Sequence, residues 1–309
     1  MRILFMGTPD FAVPILKTLV ENHEVLSVVT QPDRPKGRGR GVVFSAVKEY
    51  ALSLDLPILQ PEKVRDNSFV EAITALKADI FVVVAYGQIL PAHILQIPPL
   101  GCVNIHASLL PKYRGAAPMQ RVILDGDTIT GVTIMYMNKG MDTGDMILKK
   151  SMPIKESDRF ADVHDKMALL SCECIIEALD AIEAGTAPRE PQNHKDATYA
   201  PMLTKEDGLI DWGGSSSRIV NQVRALDPWP GTYTYHEKQV LKIWDCAPWD
   251  KAVPDAEPGE VLETRDHLLI KTGNGALSVT TVQGQGGKRM KAADYLRGHA
   301  VAVGTVLGQ

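Results

Sequence analysis

The chain has 309 residues, 45% of them hydrophobic and 23% charged, and its 33 Lys and Arg against 37 Asp and Glu give a formal net charge of −4. A length of this order accommodates two domains of about 100–200 residues each, and no apolar run reaches the ~18 residues that a membrane span needs. The charge balance excludes broad coating of nucleic acid and leaves room for a local basic patch.

"RILFM" reads as a first β-strand closed by Gly7, and its apolar core is too short for a secretory leader. "DFAVPILKTLVEN" follows with helical spacing, with Pro14 compatible only with the first turn. "EVLSVVT" is a second strand. It leads into "QPDRPKGRGRG", where four cations, three glycines and two prolines share residues 31–41. "SAVKEYALSLD" predicts a helix with Ser45 as N-cap, and "FVEAITALKA" predicts another. "DIFVVVA" is a strand with almost no polar alternation, as expected where both sheet faces are covered. "GCVNIH" is a further strand, "PMQRVILDG" a short helix, and "GVTIMYM" and "DMILKKSM" two more strands. "ADVHDKMALLSCECIIEALDAIEAG" is a long amphipathic helix that Gly185 should terminate.

Alternating strands and helices over residues 1–189 predict a doubly wound, Rossmann-like α/β domain with a mostly parallel sheet. Residues 190–208 are polar, proline-bearing and aperiodic, and read as a linker. Over 209–309 the helix "SSRIVNQVRAL" precedes short β-like runs ("TYTYH", "QVLKIWD", "GEVLET", "HLLIKTG", "ALSVTTVQ"), the spacing of a small OB-like β-barrel.

Most familiar chemical motifs are missing. No GxGxxG follows the first strand, so a nicotinamide or flavin cofactor has no support. "GQGGKR" lacks the phosphate-loop spacing and puts Arg289 where a magnesium-binding Ser or Thr would stand. There is no GxSxG, HExxH or paired CxxC. Cys102, Cys172, Cys174 and Cys246 form no disulfide framework, which fits a reducing cytoplasm.

One segment carries chemistry. In "GCVNIHASLLPKYRGAAP", Asn104 and His106 stand two apart at the carboxyl end of an apolar strand, so both point to one side of the sheet. Ligands of open α/β sheets bind beyond those ends. Asp142 follows 36 residues after His106, in a tight turn within "NKGMDTGDM". A converging amide, imidazole and carboxylate suit acyl transfer through a tetrahedral intermediate. Spacing alone equally allows Asn104 to cap a turn, His106 to end a strand and Asp142 to bend a loop.

"NIHASLLPKYRGAAP" together with "MDTGDM" resembles the folate-dependent formyltransferases, and the similarity extends through "MGTPDFA", "QPDRPKGRG", "VVVAYGQILP", "GVTIMYM" and "DPWPG". The resemblance implies a metal-free reaction with 10-formyltetrahydrofolate as co-substrate. Asn104 and His106 would then bind the oxyanion, while Asp142 orients His106 and helps relay the amine proton. The folate would lie along Tyr86, Gly87, Gln88, Ile89 and Leu90 and along Ser108, Leu109, Leu110, Pro111 and Lys112. Within the family the pattern is that of the branch acting on the α-amine of methionine esterified to initiator tRNA, the alternative being an amino-sugar nucleotide. The basic stretch separates the two, and Arg34, Lys36, Arg38 and Arg40 would meet the tRNA. Lys242, Lys288, Arg289 and Lys291 are the candidates for contact in the second domain. By the same resemblance the chain works as a cytoplasmic monomer with no membrane partner.

Overall fold

The computed structural model describes residues 1–35 and 42–308. They divide into two compact units, one made of Met1–Pro118, Ile129–Pro153 and His164–Ala200, the other of Met119–Thr128, Ile154–Val163 and the chain from Pro201.

The first unit is built on strands β1 (Arg2–Gly7), β2 (Glu24–Val29), the two-residue pair β3 (Arg34–Pro35) and β4 (Val42–Val43), β5 (Ile58–Leu59), β6 (Ile80–Val84) and β7 (Cys102–His106). The chain continues with the short β8 (Arg114–Gly115), β9 (Ile129–Tyr136), β10 (Met146–Pro153) and the short β11 (Tyr199–Ala200). Seven of them form one sheet in the order β10-β9-β7-β6-β1-β2-β5. The five strands from β7 to β5 are parallel, and β9 and β10 add antiparallel at one edge. Every residue of β6, Ile-Phe-Val-Val-Val, is buried, as a strand covered on both faces requires. This is the predicted Rossmann-like, mostly parallel sheet.

Local chemistry explains the helices that cover it. In α1 (Ala12–Asn22) Pro14 falls in the first turn, where no intrahelical N–H partner is needed. In α2 (Ala46–Ser53) the Ser45 hydroxyl accepts from Lys48 N at 3.1 Å, the predicted N-cap. Phe69 and Ile73 of α3 (Asn67–Ala75) and Ile94 of α4 (Ala92–Leu95) pack with Leu4, Met6, Phe81 and Val83 in one apolar cluster. After α5 (Pro118–Leu124), the long helix α6 (Phe160–Glu183) stops two residues before Gly185, whose φ of +69° suits a glycine C-cap. The chain leaves β1 for β2 and β5, then returns to β6 on the other side of β1. Flanking loops therefore diverge at the carboxyl ends of β1 and β6, which is where such sheets open a crevice.

In the second unit, α7 (Ser216–Ala225), capped by Ser215, precedes β12 (Thr232–His236), β13 (Gln239–Pro248), β14 (Val261–Thr264), β15 (Leu268–Thr272), β16 (Gly275–Gly284) and β17 (Met290–Lys291), with α8 (Ala292–Gly298) last. The strands pair antiparallel in the order β12-β13-β16-β15-β14, with β17 on β16. Register shifts around Asp245 bend β13. The chain end then bridges the two outer strands: Val261 N donates to Thr305 O at 2.8 Å, and Gly308 N to Tyr235 O at 2.8 Å. The sheet thereby gains the barrel-like closure that its spacing predicts. Trp212, Ile219, Leu241, Ile243, Leu268 and Val282 fill its core. Among the described residues no helix is long and apolar enough to cross a membrane.

Candidate active site

The register of β7 fixes where its polar side chains point. Asn104 pairs with Val83 on one side and Met135 on the other, and His106 lies opposite Thr133. Directly opposed residues share a face, so Asn104, His106, Met135 and Thr133 all point to the same side of the sheet. Thr133 Oγ1 donates to Ser108 O at 2.7 Å and accepts from Leu110 N at 3.1 Å, which pins the loop leaving β7. That loop turns back, so that His106 Nε2 lies 2.9 Å from the Tyr113 carbonyl oxygen. A carbonyl only accepts, so Nε2 carries a hydrogen and Nδ1 is the nitrogen left for chemistry. Asp142 Oδ2 stands 3.7 Å from Nδ1, within ion-pair range but beyond a hydrogen bond. His106 is only 5% exposed, so that pair works in a largely desolvated corner.

Asp142 occupies the left-handed backbone region, with φ of 52°, in the loop between β9 and β10. Three bonds hold it there. Gly115 N donates to Oδ2 at 2.8 Å, the same oxygen that faces His106. Gln192 Nε2 donates to the backbone carbonyls of Asp142 and Gly144, each at 2.9 Å. Gln192 Oε1 accepts in turn from Arg114 Nε at 3.1 Å and Nη2 at 2.6 Å. Arg114 directly precedes Gly115 in β8, so the network closes on itself.

A cleft of about 550 Å³ opens at the carboxyl ends of β1, β2 and β6, lined among others by Thr8, Gln31, Arg34, Phe44, Ala85 and Gly87. The Tyr86 carbonyl organises its floor, accepting from Thr8 Oγ1 and Gln31 Nε2, each at 3.0 Å. Gly87 has φ of +89°, yet a Cβ there would only touch Gln31 at 3.5 Å, so backbone conformation rather than space asks for glycine. Beside the cleft, Lys48 pairs with Asp33 and bonds Gln60 Oε1 at 2.8 Å. Hydrogen bonds from Lys48 and Gln60 hold the Asp33 carboxyl below the usual range.

The residues expected along the folate divide by environment. Gly87 lines the cleft and Ile89 is 83% exposed. Tyr86 contributes its backbone to the cleft floor, while its ring and Leu90 lie in the apolar core. Burial pushes the Tyr86 phenol up to about 12. Gln88 bonds the 61–64 segment through Val64 N and Pro61 O. In the second stretch, Ser108 Oγ donates to Lys112 O at 2.6 Å, and Leu110 packs with Met135 and Met146. Leu109 and Pro111 are half-buried and Lys112 is exposed. Among the described residues no group of three or more His, Cys, Asp or Glu could hold a metal.

Residues 1–179 match the family described as "Formyl transferase", and 202–300 match "Formyl transferase, C-terminal domain". The chain belongs to the formyl transferase family. Among curated relatives it is 50% identical to a methionyl-tRNA formyltransferase of Desulforamulus reducens, with 100% of this chain and 98% of that one aligned. It is 46% identical to the methionyl-tRNA formyltransferase of Clostridioides difficile, with both chains covered completely. Distant solved structures share the fold alone. HypX from Aquifex aeolicus in complex with tetrahydrofolic acid has a TM-score of 0.65 at 23% identity over 96% of this chain, which spans 47% of that one. The N-formyltransferase from Helicobacter canadensis gives 0.69 at 20% identity, covering 90% of this chain and 98% of that one.

The other basic candidates of this formyl transferase fall into distinct settings. Arg34 lines the cleft, while Lys36, Arg38 and Arg40 lie outside the described residues. Lys288 and Lys291 are exposed. Lys242 Nζ bonds the Pro230 carbonyl at 3.4 Å and sits 5.3 Å above the Trp244 ring. Arg289 grips both oxygens of Asp227, at 2.9 and 3.1 Å, and stacks on Trp244 at 3.8 Å. Its charge is therefore largely spent inside its own domain. Sequence reasoning gave no role to Thr8, Gln31, Arg114 or Gln192. Gln31 had a usable signal, since it directly follows a strand end, whereas Gln192 lay in a stretch that reads as linker.

Proposed function

We propose that the protein transfers the formyl group of 10-formyltetrahydrofolate to the α-amine of methionyl-tRNA, giving N-formylmethionyl-tRNA for translation initiation. The observation that carries this reading is the grouping of Asn104, His106 and Asp142 at one corner of the sheet, in a chain with full-length relatives of that activity. An α-amine titrates near ~8, and esterification of the carboxyl lowers that further, so a neutral amine is present without a strong base. It attacks the formyl carbon, and the carbonyl oxygen becomes an oxyanion. Asn104 donates an amide N–H to that oxyanion, and His106 donates Nδ1–H when its ring is doubly protonated. Asp142 fixes the ring and relays the proton from the attacking nitrogen to N10 of the folate. The C–N10 bond then breaks, leaving N-formylmethionyl-tRNA and tetrahydrofolate. No redox step enters, and none of these residues needs a metal.

The folate is read as lying against Gly87, Gln88, Ile89 and the 108–112 loop. The tRNA is read as held by Arg34, Lys36, Arg38 and Arg40, with Lys242, Lys288 and Lys291 contributing from the second domain, while Arg289, paired with Asp227, is left out of that contact. Substrates of this kind place the reaction in the cytoplasm. The deciding experiment offers the protein 10-formyltetrahydrofolate with charged initiator Met-tRNA or with an amino-sugar nucleotide. Formylation of the tRNA is expected, and formylation of the sugar alone would overturn the reading. Asn104→Ala and His106→Ala should each lower kcat about 10²–10³-fold, the usual cost of one oxyanion donor, with an unchanged circular-dichroism spectrum.

A further inference from the structure

We infer that Gln192 and Arg114 are positioning residues that set the Asp142 carboxylate against His106. This inference deepens the reading above and rests on it for the claim that Asp142 takes part in formyl transfer. The geometry is that of a clamp. Gln192 is 6% and Arg114 2% exposed, so neither side chain can trade its bonds for water. Both hydrogens of the Gln192 amide are used on one loop, on the carbonyls of Asp142 and Gly144 at 2.9 Å each. Both acceptor sites of its oxygen are used on one guanidinium, Nε at 3.1 Å and Nη2 at 2.6 Å. A primary amide has two donors and two lone pairs, so every one of them is assigned.

The far end of the clamp is fixed as well. Glu190 and Met146 exchange backbone bonds of 3.0 and 2.8 Å, which ties the segment before Gln192 to the start of β10. Arg114 is held by β8, which pairs with β11 through Arg114↔Tyr199 and Gly115↔Ala200. The next residue of the same strand supplies the Gly115 N–H that binds Asp142 Oδ2 at 2.8 Å. One short strand thus holds the carboxylate directly with a backbone amide, and holds the backbone behind it through Arg114 and Gln192. A loop whose central residue sits at φ of 52° has alternatives to escape to, and the clamp removes them.

Gln192→Glu separates this role from simple packing. Glutamate keeps the length and gives Arg114 a carboxylate to pair with, but it cannot donate to two carbonyls and repels both. The first readout needs no substrate: residue-resolved hydrogen exchange of the Gly115 amide in the free protein. Exchange is expected to quicken about tenfold or more as the bond to Asp142 loosens, and an unchanged rate overturns the inference. The second is methionyl-tRNA formylation, where kcat should fall about 10–100-fold with KM for both substrates within about threefold. Placed in an Asp142→Ala background, the same change should cost less than about threefold in kcat. Independent, multiplying losses overturn the inference. Should the wild-type protein form no formylmethionyl-tRNA, the functional reading falls while the exchange experiment still decides the clamp. Gln192→Met, equally long and without donors, enters the same measurements if the glutamate variant does not fold.

Discussion

At the scale of single residues, the site depends on neighbours that hold Asp142 in place through hydrogen bonds. Gly115 illustrates this. Its φ is +123°, a Cβ would stand 2.7 Å from the Ala200 carbonyl oxygen, and its N–H binds Asp142. Alanine there combines a left-sided backbone with a collision against an oxygen that already accepts from Ala117 N at 3.1 Å. The expected cost is about 2–3 kcal/mol, or a melting temperature lower by roughly 5–10 °C in a domain of this size. Because the amide must move to relieve the clash, kcat should drop as well. A calorimetric scan and a steady-state assay of Gly115→Ala check both, and a normal kcat would show that Asp142 does not need this amide. Gly144 obeys a related rule, since a Cβ there would overlap the Tyr136 carbonyl oxygen. The glycines of the two motifs are thus steric requirements, visible in sequence only as letters.

At the scale of elements, burial is the property the sequence announces best. The unbroken apolar run of β6 and the helical spacing of α1, α2, α3 and α6 predict their places in the sheet and its cover, since period and hydrophobicity are local properties. The carboxyl-end position of Asn104 and His106 follows from the same local pattern. What the sequence hides is non-local: two-residue strands such as β8 and β11, and the clamp between residues 50 apart, Asp142 and Gln192. Tyr86 marks the boundary between the two kinds of information. Its place in the motif suggests a ligand contact, yet its ring is 2% exposed and packs among Leu4, Phe81 and Ile94. Its hydroxyl has no partner among the described residues. Tyr86→Phe should therefore leave the KM for folate unchanged and raise stability by about 1 kcal/mol. Burial also pushes the phenol and the Cys102 thiol up to about 12. Folded protein then keeps protons that the unfolded chain releases from about pH 8.5 for the thiol and about pH 10 for the phenol. Stability is complete below those values and falls as pH climbs toward 12. Thermal melts should be flat from about pH 7 to 8 and decline above about pH 9, with a shallower decline above about pH 10 in Tyr86→Phe. An equally steep decline in that variant would place the titration elsewhere.

At the scale of the whole molecule, the charge distribution has to reconcile a net charge of −4 with a polyanionic substrate. A uniformly acidic surface would repel tRNA, so the attraction must be concentrated. The second domain offers less than its sequence suggests, because Arg289 and Arg159 share Asp227, at 2.9 and 3.1 Å, and Arg159 also holds Asp245 at 2.7 Å, so two cations face two carboxylates. The 31–41 stretch, in contrast, holds four cations and one acidic residue, Asp33, which Lys48 already engages. Each phosphate neutralised by a cation contributes about 0.7–0.9 to the slope of log Kd against log salt. Replacing Arg34, Lys36, Arg38 and Arg40 together by alanine should lower that slope by about 3–4 and weaken Met-tRNA binding most at low salt. Formylation at saturating tRNA should fall far less than kcat/KM, since none of the four is assigned to the reacting atoms. Arg289→Ala should instead lower the melting temperature of the protein and leave the slope almost unchanged, because its charge is already compensated. Filter binding of Met-tRNA across a salt series separates the two. A quadruple variant with the wild-type slope would move the tRNA contact to the second domain and leave Arg34 as a cleft residue alone.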